Sequence, residues 1–368
     1  MEKTSRRNTG LDFLRILSMY FVVQLHVQGH GAIVDHLTPF TAQAGVSQAY
    51  HLLASCAVNC FGLISGYVMV ESGFKLKSLI LLWMQVVFYS FGGTVLAAVT
   101  GYMDPNRAFW LGSMFPVMNN WYWYFSAYFG MMLLAPALIY AVNTMPQKLF
   151  RTMLVACAAV VSVLCTFTEL DPFRYQRGYA TPAWLIILFL AGGYLRRWGA
   201  FAEWKSGKLF LGYLGFSALA WVMSMLSYLP QYIYCPALDQ LKYVSTSTSF
   251  PQLGSAVMLF LCLERLHFGK RMTKVVGMFA PAAFGVYLIH VHPVIWPMLA
   301  ERFHHYLTFP AWKLALAVPL TSLAIFLPCL LIDWLRLHLF RALKLSRLAD
   351  WAAKRLCSIG EWIGEKCS

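Results

Sequence analysis

Charge is scarce in this sequence. Asp, Glu, Lys and Arg make up 12% of its 368 residues, whereas 59% are hydrophobic. A soluble globular domain carries roughly twice that charge, so a soluble enzyme and a disordered scaffold are both excluded. Acidic residues are scarcer than basic ones, 15 against 29, which leaves a net charge of +14. Cysteine follows no framework either. The nine cysteines are odd in number, and Cys56, Cys60, Cys157, Cys165, Cys262 and Cys329 sit inside apolar runs. Their spacing suits neither zinc nor paired disulfides, so they read as buried thiols acting as small hydrophobes. No repeat of fixed period stands out. No convincing small-residue cleavage site follows the first apolar run, so that run is expected to persist as a helix.

Long apolar runs, by contrast, are abundant. About 20 mostly apolar residues are needed to cross the hydrocarbon core. Ten such runs are read at 11–31, 50–70, 78–101, 123–143, 151–168, 182–198, 208–228, 250–267, 277–299 and 312–337. Breakers fall between them, including Asp104-Pro105, Asp171-Pro172, Cys235-Pro236 and Thr308-Phe309-Pro310. With the N-terminus inside, twenty-two of the 29 Lys and Arg residues fall in cytoplasmic segments and six in outer ones, Arg15 lying within the first run. That bias predicts both termini in the cytoplasm and accounts for the basic charge without nucleic acid. The expected fold class is an all-α polytopic membrane protein, with a membrane domain over 1–338 and a cytoplasmic tail over 339–368. In the tail, Leu348, Trp351, Ala352, Leu356, Ile359, Trp362 and Ile363 recur at helical spacing among basic residues. That pattern predicts an interfacial amphipathic helix on the anionic inner leaflet.

Ionisable groups inside spans are costly and are functional candidates by default. In the first run Arg15 and His26 are eleven residues apart, three turns plus about 20°, so they share a face separated by about 16 Å of rise. Asp12 lies one turn before Arg15 and can pair with it. Taken singly, Arg15 also reads as a snorkelling residue and His26 as a hydrogen-bonded packing histidine. In the second run Ser55, Asn59, Gly62 and Gly66 share a stripe. Its small residues permit close helix approach, and its buried amide must find partners. The ninth run ends in FGVYLIHVHPVIW, which places His290 at about the depth of His26. The cluster Trp121, Tyr122, Trp123, Tyr124 reads equally as an interfacial aromatic belt or a sugar-stacking platform.

The ordered series LDFLRILSMYFVVQLH, VNCFGLISGYVMV, WYWYFSAYFGMMLLAPAL and FGVYLIHVHPV resembles the acyltransferase 3 family of integral membrane acyltransferases, from residue 9 to about 337. The resemblance implies ten spans with both termini inside, in the plasma membrane of a bacterial cell. It also implies transfer of an acyl group, usually acetyl, from cytoplasmic acyl-CoA to a hydroxyl on an extracytoplasmic polysaccharide, lipid-linked glycan or cell-wall component. On the positions that match, it implies catalytic roles for Arg15, His26 and Asn59. The donor would be held by Arg15, Ser65, Lys75 and Lys77, and the acceptor by Trp123, Tyr287 and His290. It implies no metal.

Two features depart from the family pattern. An Arg-x-x-Arg motif is expected in the turn before the third span, but that turn reads FKLKSLILLW and offers only Lys75 and Lys77. Lysine binds phosphate as a point charge without the arginine fork. Pro281, Ala282, Ala283 and Phe284 stand where a serine is expected before Tyr287. His26 would serve as general base or transient acyl carrier, with Asn59 orienting it or donating to an oxyanion. Partners expected are membrane lipids, acyl-CoA and a glycan acceptor, with a second copy or a separate extracytoplasmic transferase left open. A non-catalytic transporter, a sensor or structural protein, and a haem protein using His26, His30, His290 and His292 are the alternatives.

Overall fold

The first span starts where the sequence offers a cap. Asn8 accepts the Leu11 N–H at 3.1 Å, and helix α1 (Thr9–Gln28) follows. In the computed structural model, residues 7–167, 181–233, 238 and 240–367 are described, with backbone alone at 240, 242 and 359–367. All regular elements among the described residues are helical. After α1 come α2 (Ala42–Ala54), α3 (Ala57–Ser72), α4 (Leu76–Val99), α5 (Arg107–Met114) and α6 (Trp123–Thr144). The chain continues with α7 (Gln147–Cys157), α8 (Pro182–Trp198), α9 (Ser206–Leu226), α10 (Phe250–Glu264), α11 (Lys270–Phe279) and α12 (Ala283–His290). It ends in α13 (Ala311–Ala342) and α14 (Leu345–Cys367). The breakers Asp171-Pro172 and Cys235-Pro236, and the charges Lys3, Arg6, Arg174 and Arg177, lie outside the described residues.

Among the described residues, nine helical segments are long and apolar enough to cross a membrane. The expected span at 182–198 forms α8, whose 17 residues rise only about 26 Å. Three other spans differ from their expected form. The second begins at Ala42 and is interrupted at Ser55–Cys56. The fifth extends α7 through a π-helical stretch, Ala158–Leu164, to Phe167. The ninth, expected over 277–299, runs from Lys270 through a 3-10 turn at Ala280–Ala282 and stops at His290. Pro281 and Pro293 supply the reason, since proline has no N–H to donate and disfavours helical geometry in the residue before it. The last span continues to Ala342, so the turn into the tail falls at Leu343–Lys344.

Helix α1 packs against α2, α3, α10, α12 and α13, which makes it the axis of the bundle. The α3–α8 contact is the closest kind available to helices in lipid. A Cβ on Gly66 would lie 1.8 Å from the Phe189 carbonyl oxygen, so only glycine fits. Leu320, Leu331, Leu335 and Leu339 of α13 remain exposed, as expected of a surface that faces hydrocarbon. The tail helix α14 buries Ala349 and Ala353 and packs on α4, leaving Leu348, Trp351 and Leu356 outward.

Candidate active site

His26 sits in the last turn of α1 and His290 at the last residue of α12, and packing of these helices brings the rings together. His26 Nδ1 lies 2.8 Å from His290 Nε2, with ring centroids 5.1 Å apart. The equal depth expected from the sequence is therefore observed. His290 Nδ1 lies 2.6 Å from the Val286 carbonyl oxygen. A carbonyl only accepts, so that nitrogen carries the hydrogen. In a neutral His290 the Nε2 lone pair then accepts from His26 Nδ1–H. By the same logic His26 Nε2 is left unprotonated. The backbone carbonyl thus sets the tautomer of a histidine one ring removed from it. The 2.8 Å separation also closes the space between the rings that a bis-histidine iron would need.

His26 lines a cavity of about 710 Å³. Around it stand His30, His51, Trp121, Trp123 and Trp296, with the segment Ser245–Ser247 on the far wall. Trp296 meets His26 edge-on at 4.8 Å, and His30 stacks on it at 3.8 Å while donating to its carbonyl oxygen at 2.9 Å. His51 lines the cavity, while its Nδ1 is buried with no hydrogen-bond partner among the described residues.

Other expected residues fall elsewhere. Asn59 is fully buried, but its amide is committed to other groups. Nδ2 donates to the Ser247 carbonyl at 2.7 Å and Oδ1 accepts from the Trp184 indole at 2.9 Å. It holds the cavity wall instead of orienting His26. Tyr287 is also behind the cavity. Its hydroxyl accepts the Tyr124 N–H at 3.2 Å in the first turn of α6, the helix that carries Trp123 to the cavity. Arg15, Ser65, Lys75 and Lys77 gather at the opposite end of the bundle. Arg15 donates to Asp12 at 2.5 Å, as the spacing predicts, and Asp12 also pairs with Arg7. Arg15 lies within electrostatic range of Tyr128, whose hydroxyl meets Ser65 Oγ at 3.5 Å, while Ser65 chiefly donates back to Phe61. Lys77 pairs with Asp350 of α14 at 3.6 Å.

His51, Trp296 and Ser245–Ser247 are absent from the sequence-based expectation. One signal was present for His51: it continues the stripe of Ser55 and Asn59 back by one turn. The 245–247 segment carries no comparable pattern, because a fold-level contact with Asn59 brings it to the cavity.

No curated protein and no solved structure matches the chain. A family model described as an acyltransferase domain matches residues 8–334, nearly the whole chain and every helix from α1 into α13. The chain therefore belongs to the acyltransferase 3 family and is an integral membrane acyltransferase.

Proposed function

We propose that the protein moves an acyl group, acetyl in the simplest case, from cytoplasmic acyl-CoA to a hydroxyl of an extracytoplasmic glycan or cell-wall component. The protein would lie in a bacterial plasma membrane, with both termini inside. The observation that carries this reading is the series Val286 carbonyl, His290, His26, which presents an unprotonated Nε2 at a cavity walled by aromatic rings. Rings of this kind stack on sugars.

In the proposed reaction His26 Nε2 takes the proton of the acceptor hydroxyl as its oxygen attacks the thioester carbon. The C–S bond breaks, and the proton passes to the departing thiolate, giving ester and free CoA thiol. The same lone pair would carry the acyl group if the transfer ran in two steps. In either course His290 fixes the ring and accepts from its Nδ1–H throughout. Phosphates cannot enter hydrocarbon, so the donor's head belongs at the end with Arg15, Lys75 and Lys77. The rise of about 16 Å from Arg15 to His26 suits a pantetheine arm of roughly 15–20 Å.

The test is equilibrium binding and thermal unfolding of the detergent-purified protein with labelled acetyl-CoA, for the parent and His26→Ala. Ligand at 100 times Kd should stabilise both by about 2.7 kcal/mol, since the donor head binds away from His26. Label retained on the parent alone supports the acyl-histidine course, and binding without retained label supports the base. No binding at millimolar acetyl-CoA overturns the donor assignment and favours a transporter.

A further inference from the structure

The turn before α4 lacks the paired arginines that would grip phosphates, yet the structure gathers basic side chains there from elements distant in sequence. Three cavities adjoin at this end. One of about 470 Å³ is lined by Lys75, Lys77 and Lys354. It meets a second, of about 160 Å³, at Lys75. The second shares Ser78 and Leu82 with a third, of about 340 Å³, which Arg336, Arg341 and Ser346 also line. The second cavity also touches Tyr128, the neighbour of Ser65 and Arg15, so the series leads from the surface toward the bundle axis.

Arg336 is built into this series. Its Nε and Nη2 bind Asp333 at 3.0 and 2.7 Å, while Gln85 and Tyr89 donate to the same carboxylate at 3.0 and 2.9 Å. Asp333 is fully buried and seated against Gly285, where a Cβ would lie 2.0 Å from its carboxyl carbon. The guanidinium is thereby held rigid beside the cavity, the preorganisation that phosphate recognition rewards. Five cations, Lys75, Lys77, Lys354, Arg336 and Arg341, face two carboxylates, Asp333 and Asp350, leaving an excess of three positive charges.

We infer that this chain of cavities is the seat of the donor's phosphates, completed by Arg336 and Arg341 of α13 and by Lys354 and Ser346 of α14. This inference rests on the acyl-CoA reading above. It assigns the tail helix to substrate binding in addition to any contact with lipid. All four residues lie beyond position 334, where the family match stops, so this part of the site belongs to the chain and not to the matched domain. Two elements distant in sequence stand in for the missing arginine fork: α13 supplies a fixed guanidinium, and α14 supplies the opposite wall.

Arg341 and Lys354 are exposed, so Arg341→Gln/Lys354→Gln should fold as the parent does. Binding of labelled acetyl-CoA and of S-acetylpantetheine, which has no phosphates at all, is measured for both proteins. The double variant should lose about tenfold in acetyl-CoA affinity per charge removed, with pantetheine binding unchanged. Equal acetyl-CoA affinity in the two proteins overturns the inference while leaving the donor reading standing. Failure of the parent to bind acetyl-CoA overturns the donor reading and the inference with it. Unchanged acetyl-CoA affinity together with loss of stabilisation by phosphatidylglycerol, titrated into the micelles, assigns the cavities to a lipid headgroup and overturns the inference as well.

Discussion

At the histidine end, buried polar groups are joined atom to atom, Val286 to His290, His290 to His26, and Asn59 to both Ser247 and Trp184, while His51 Nδ1 is left without a partner among the described residues. At the basic end, cations arrive from the N-terminus of α4, from α13 and from α14, and several stay exposed, Lys354 at 79% among them. The first arrangement fixes single atoms, as bond making requires. The second supplies excess charge over an area, as holding a polyanion requires. Substitutions at the two ends should accordingly differ in kind, those at the histidine end acting on rate or fold and those at the basic end on affinity.

The largest effect is expected at His26. His26→Ala should abolish acyl transfer in membranes while leaving expression and donor binding intact, and full activity in the variant would remove His26 from the chemistry. His290→Ala should come next. It leaves His26 Nε2 present but its tautomer and orientation unset, so turnover should fall about 10²–10³-fold with donor affinity unchanged. A loss confined to affinity would erase the distinction between the two ends. Asn59→Ala should act on the fold, because it orphans the Trp184 N–H in the interior and releases the Ser247 carbonyl. A cost of about 1–3 kcal/mol per orphaned group should appear as a lower Tm. The smallest effect is expected at Asp350. Lys354, followed by Lys77, holds its carboxyl below the usual carboxylate value. Any support from this group is present above the ordinary carboxylate range and fades as the pH drops through the lowered value. Its full exposure makes that support slight, so Asp350→Asn should barely move the Tm at neutral pH, whereas donor affinity should rise slightly as a competing anion is removed.

Periodicity alone made much of this legible. Residues 15 and 26 share a face because 3.6 residues make a turn, and counting along two outward helices put His26 and His290 at one depth. Hydropathy located the spans for the same reason, since every backbone group in hydrocarbon must be bonded within its own helix. What stayed hidden depends on contacts between distant segments. Asn59 was legible as a costly buried amide, but its partners lie 125 and 188 residues away at Trp184 and Ser247. Arg336 looked like one more basic residue of the C-terminal segment, and only the packing of α4, α12 and α13 reveals a buried guanidinium fixed by a carboxylate. Proline shifted the end of the ninth span to His290, a local effect that a 20-residue hydropathy window averages away.

The shortness of α8 bears on which membranes the protein tolerates. A 26 Å rod in a hydrocarbon slab of about 30 Å would ordinarily pinch the bilayer or draw headgroups inward at a cost for each ångström of mismatch. Here the arginines of its last turn find their solvation in neighbouring helices. Arg196 binds Glu71 and reaches the Tyr67 hydroxyl at 3.1 Å, and Arg197 donates to the Val142 carbonyl. With Arg196 paired and Arg197 hydrogen-bonded by protein, the wall beside α8 is decoupled from bilayer thickness, and lipids of different chain length should support the protein almost equally well.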